Sequence, residues 1–81
     1  MIRVRLKEQM EAYRRRTGET LTYADLAART GLSRPTLESM ATRSSYNTTL
    51  TAIDRICAAL DCLPGDLLER EADIVAMAGQ G

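Results

Sequence analysis

A single glycine between two short apolar-periodic runs limits what this chain can fold into. From Tyr23 to Ala41 the sequence reads as two helices meeting at a sharp corner. Leu26 and Ala27 fall on the inner face of the first, and Leu37 and Met40 on that of the second. Gly31 supplies the corner, because it takes a positive φ at a helix end without a side-chain clash. Leu32 plugs the gap behind the turn, and Ser33 stands where a helix N-cap belongs. Ala27 is small where two steeply crossing helices need a thin residue.

The bulk composition bounds what such a corner can serve. A chain of 81 residues makes one small domain, near the size where a single core only just suffices. Phe, Trp and His are absent, so imidazole general-base chemistry has no residue and metal sites lack their commonest ligand. Cys57 and Cys62, five apart, match no zinc spacing and no disulfide framework, and Cys57 reads as a small core hydrophobe. The carboxylates show no paired grouping, so neither an enzyme, a cofactor nor a metal is expected. No apolar run approaches membrane-spanning length and no secretory leader is present, which predicts a cytoplasmic chain without membrane partners. The net charge is zero, but its distribution is uneven: residues 1–47 hold nine basic and five acidic groups, residues 48–81 two basic and six acidic. Opposed halves can make one basic face, the kind that meets phosphate.

In chain order, Ile2, Val4 and Leu6 alternate with Arg3, Arg5 and Lys7, a period of two that suggests a short extended lead-in or edge strand. Leu6, Met10 and Tyr13 then share a helical stripe that runs to about Arg16. Arg14, Arg15 and Arg16 can serve either a phosphate or the negative end of that helix. Thr17-Gly18-Glu19 breaks it. Thr22 and Asp25 form a capping-box pattern ahead of the second helix, which runs to about Arg29. A third helix runs from Arg34 to about Ala41, with Pro35 tolerated in its first turn. A polar loop from Thr42 to Thr48 precedes helix four, Leu50 to Leu60, capped by Thr49. Leu50, Ile53, Ile56, Cys57 and Leu60 are expected on one inward face. Pro64 opens helix five, Asp66 favours its N-terminus, and Leu67 and Leu68 close the core. Residues 71–81 read as a tail in which Ile74, Val75 and Met77 could dock, leaving 1–70 as the domain.

The runs Leu26-Ala27-Ala28-Arg29-Thr30-Gly31-Leu32-Ser33 and Leu50 onward to Pro64-Gly65-Asp66-Leu67-Leu68 resemble the Cro/C1-type (Xre) helix-turn-helix family, in its short stand-alone form. The likeness extends from Leu6 to Glu69. It implies an all-α, five-helix, lambda-repressor-like domain that binds double-stranded DNA, commonly as a homodimer on a palindromic operator. Three positions depart from the family pattern. Tyr23 stands where Gln is common, Ala41-Thr42-Arg43 replaces a Glu followed by Asn-Gly, and Leu63 replaces a small polar cap.

A recognition helix turns its first residues, and those one turn on, toward base edges. On that geometry the candidates are Arg34, Pro35, Thr36 and Ser39. A guanidinium can fork onto guanine O6 and N7, or it can hold only a phosphate. Glu38 can accept from cytosine, pair with Arg34 one turn back, or point aside. Thr22 and Tyr23 at the start of helix two, and Arg43, Ser44, Tyr46, Asn47 and Thr48 before helix four, are candidate phosphate contacts. The expected function is a sequence-specific transcriptional regulator, most simply a repressor. Homodimerisation would use Ile2 and Val4 at one end and Ile74, Val75 and Met77 at the other. The alternative is a protein-interaction module of the antitoxin kind, with the acidic half and tail as interface. No small-molecule substrate is evident.

Overall fold

The computed structural model describes residues 1–43 and 46–71. Its elements are β1 (Ile2–Val4), α1 (Leu6–Thr17), α2 (Tyr23–Thr30), α3 (Arg34–Thr42), α4 (Leu50–Leu60), α5 (Pro64–Leu67) and β2 (Leu68–Arg70). The expected five helices and extended lead-in are present. The helix starts are chemical. Thr22, Ser33 and Thr49 each accept an amide hydrogen bond from the residue three positions on, at 3.1–3.2 Å. Asp25 completes a capping box by accepting from the Thr22 amide at 3.0 Å. α1 and α2 end on Gly18 and Gly31, both left-handed at φ +77° and +76°.

The core is shared by every helix. Leu6, Leu26, Leu37, Met40, Ile56, Leu60 and Leu67 are its largest fully buried side chains. Burial of each contributes about 1.5–3 kcal/mol relative to exposure. Tyr13, Leu21, Ile53 and Cys57 extend this cluster, and Ala27 and Leu32 pack against it half-buried.

One expectation requires correction. Leu50 is not on the inward face of α4 but 85% exposed. It occupies the first position of that helix, beyond the edge of the core. Periodicity set its direction without guaranteeing a neighbour there. Leu68 packs partly buried on the core, as expected, but at φ −108°, ψ 141° it leaves α5 and opens β2, a strand that periodicity does not announce. β2 pairs antiparallel with β1, matching Ile2 with Arg70, Arg3 with Glu69 and Val4 with Leu68. The pairing continues past the strands, the Glu71 amide donating to the Met1 carbonyl at 2.7 Å. Ile2 and Val4 are thus engaged within their own chain. Ser44, Ile74, Val75 and Met77 lie outside the described residues.

Candidate nucleic-acid interface

The corner between α2 and α3 is held by more than its glycine. The Gly31 amide closes on the Ala27 carbonyl at 2.9 Å. Thr30, only 3% exposed, donates its hydroxyl to the Leu26 carbonyl at 2.7 Å and accepts from the Leu32 amide at 3.2 Å. Arg55 of α4 donates to the Thr30 carbonyl at 3.4 Å, tying the corner to the helix behind it. Nothing in the apolar pattern singled out Thr30. A buried β-branched hydroxyl at a helix end, able to satisfy both a carbonyl and an amide, was the available signal.

α3 buries Leu37 and Met40 and turns Arg34 and Pro35 outward, with Thr36, Glu38 and Ser39 half-exposed. Ser33 caps it, and the Ser33 and Thr36 hydroxyls lie 2.7 Å apart, so the Thr36 side chain is already partnered. Arg34 pairs with Glu38, Nε to Oε1 3.1 Å, one of the three roles the sequence leaves open to Glu38. The C-cap of α3 is Arg43, exposed, its amide donating to the Ser39 carbonyl at 2.9 Å.

The flanking candidates divide among three sites, Arg43 bordering a small one with Arg3, Glu8 and Thr42. Thr22, Tyr23 and Arg34 line a groove of about 640 Å³, with Lys7, Met10, Glu11 and Arg14 of α1 as its other wall. The capping bonds from the Thr22 amide and hydroxyl hold the Asp25 carboxyl below the usual carboxylate range. Tyr46 and Asn47 instead line a separate cavity of about 490 Å³ with Met1, Ile2, Val4 and Leu50. Tyr46 packs half-buried on the core. It is therefore at least a structural residue.

Ion pairing narrows the basic surface. Arg3 and Arg5 meet Glu8 and Glu69, and Arg3 also meets Glu71. Arg14 and Arg15 pair with Glu11, Arg29 with Glu19, and Arg34 with Glu38. The opposed charges of the two halves thus partly neutralise each other at the β-ribbon rather than standing on separate faces. Of the arginine run, Arg16 serves structure: its Nη2 donates to the Leu60 carbonyl at 2.7 Å and its guanidinium lies over the Tyr13 ring. Arg55 is engaged at the corner. Lys7, Arg43 and Arg70 make no ion pair or side-chain hydrogen bond among the described residues. Sequence reading passed over Lys7. Its spacing to Glu11 and Arg14 places all three on one side of α1, but the opposing wall from α2 and α3 is not local information.

Cys57 is buried, Cys62 half-buried, and both are free thiols. Among the described residues, no three His, Cys, Asp or Glu side chains gather as a metal site would require. No described helix is long and apolar enough to cross a membrane. The family model of the Cro/C1-type HTH DNA-binding domain matches residues 5–73. No curated protein and no solved structure matches the chain significantly.

Proposed function

The chain belongs to the Cro/C1-type helix-turn-helix DNA-binding family, and from that premise we propose that it is a sequence-specific transcriptional repressor. The observation that carries this reading is the Ser33-capped α3, which turns Arg34 and Pro35 to solvent from a corner locked by Gly31 and Thr30. A helix so presented fits the major groove. In this reading Arg34, Pro35, Thr36 and Ser39 face base edges, and Thr22, Tyr23 and Arg43 hold the flanking backbone. Asn47 reaches phosphate from the segment ahead of α4, with Tyr46 packed beside it. Residues 1–70 form the binding unit and 71–81 a tail.

The working unit is a homodimer on a palindromic operator. One recognition helix covers only a few base pairs, and a pair set about 34 Å apart doubles the contacts. Supporting this, Met1, Ile2 and Leu50, three exposed large apolar side chains, border a single cavity. Enrichment of bound duplexes from a random pool tests the whole reading. A palindromic consensus, bound by two copies in sedimentation, is the expected result. No enrichment, with no duplex shifted even at low salt, would overturn it in favour of a protein-partner module.

A further inference from the structure

The cavity of about 490 Å³ between the β-ribbon and the start of α4 is lined by no charged side chain. That is unusual in a chain of which 27% is charged. The grooves beside α1 hold Lys7, Glu11 and Arg14, or Arg5, Glu8 and Arg15, and the one beside Arg43 holds Arg3 and Glu8. Among the described residues, three of the four exposed large hydrophobic side chains, Met1, Ile2 and Leu50, border this one cavity. Its floor is core, from the buried Val4 and Ile53, and the exposed polar residues Asn47 and Thr49 stand at its border. An apolar centre inside a polar rim is the anatomy of a protein interface. Leu50 is the most exposed of the three, at 85%, so it projects from the wall instead of filling the space.

The missing charges say what fits there. A twofold contact sets a patch against its own copy, so any charge near the axis meets its like. An uncharged patch escapes that repulsion, while a charged partner finds no counter-ion in it. A knob that borders its own hole is also self-complementary under a twofold axis. Each Leu50 can enter the other copy's cavity while its own cavity receives the other Leu50. Asn47 lies on the same border, so this contact would join two copies directly beside their proposed phosphate contacts.

We propose that Leu50 of each copy seats in the cavity between the β-ribbon and α4 of the other, and that this reciprocal contact is the homodimer interface. The inference rests on the homodimer reading above and names the surface that makes it.

Sedimentation velocity of the full chain without DNA, from micromolar to millimolar concentration, tests it. The parent should dimerise. Leu50→Lys should weaken that association on the order of 100-fold or more, because two leucines lose their burial at once. Leu50→Met keeps volume and apolarity and should remain dimeric. Leu63→Lys makes the same change at a leucine 71% exposed and outside the cavity, and should leave the equilibrium unaltered. Val75→Asp, in the tail, should leave it unaltered as well. Far-UV circular dichroism matching the parent's establishes that each variant is folded. A parent dimer that Leu50→Lys leaves intact, or that Leu63→Lys disrupts equally, overturns the seat and leaves the homodimer standing. Disruption by Val75→Asp as strong as by Leu50→Lys makes the tail the occupant and also overturns the seat. A parent that is monomeric without DNA overturns the seat too. If a palindromic duplex then recruits only one copy, the homodimer falls with it.

Discussion

Arg34 donates from Nε to the Glu38 carboxylate across 3.1 Å, one turn further along α3. Both side chains are substantially solvent-exposed, at 65% and 45%. An exposed pair at this spacing is worth about 0.3–0.5 kcal/mol, whereas a guanidinium forked onto guanine discriminates by about 1–3 kcal/mol. Under the proposed function, then, the pair orients Arg34 in the free protein and yields on DNA. Arg34→Ala should cost about 1–3 kcal/mol on a selected duplex and relax preference at one base pair. Binding measured over all single-base variants of that duplex checks it. A uniform loss would reduce Arg34 to a phosphate contact.

Thr30 holds the corner through a hydroxyl that valine cannot supply. Thr30→Val keeps the shape but removes the buried contact to the Leu26 carbonyl and strands the part-buried Leu32 amide. The expected loss is about 1–3 kcal/mol in urea denaturation, with Thr30→Ser recovering much of it. Equal stability of the valine variant would mean that water serves these groups.

Arg16 and Arg15 are neighbours with different duties. Arg16→Ala removes the donor to the Leu60 carbonyl, which closes α4, and should lower stability by about 1 kcal/mol. The same variant should leave the salt slope of DNA binding unmoved. A shallower slope would show that Arg16 leaves Leu60 for a phosphate.

The thiol of Cys62 is pushed up to about 11, first by burial and then by Cys57 beside it. Alkylation of Cys62 in the folded chain, followed by peptide mass, should rise about tenfold per pH unit from pH 7 to beyond pH 10. In urea the rise should level near the ordinary thiol pKa of about 8.5. The folded value lies above the unfolded one, so the folded state retains the proton longer. Its contribution to stability is complete below about pH 8.5 and is lost as pH climbs toward 11. Folded and unfolded chains with the same alkylation profile would contradict the burial.

Gly31 and Gly18 share the left-handed turn, but only Gly31 has a neighbour, with the Arg55 Nη1 3.4 Å from where a Cβ would stand. Gly31→Val should cost at least about 1 kcal/mol from backbone strain, and DNA binding should fall with it. An unchanged melting curve would remove Gly31 from the corner.

The amino-acid sequence by itself determined the helices, their order and, for all but α5, their ends. Thr22 with Asp25, Ser33 with Thr36, Thr49 with Ala52, and the glycines at 18 and 31 act within a few residues of chain, and such interactions can be read along a line. The outward set of α3 followed in the same way, since Leu37 and Met40 fix which side is buried. Only tertiary structure decided where those helices meet. β2 exists because β1, more than sixty residues earlier, offers it an edge, and Leu68 leaves the helix to take it. Leu50 lies exposed because the core that covers Ala52 and Ile53 stops short of the first residue of α4. Arg16 is spent on Leu60, 44 residues away, and Lys7 gains a groove only when α2 and α3 close it. Charge pattern and periodicity give a side chain's type and direction. What it touches depends on contacts between segments whose separation along the chain carries no local signal.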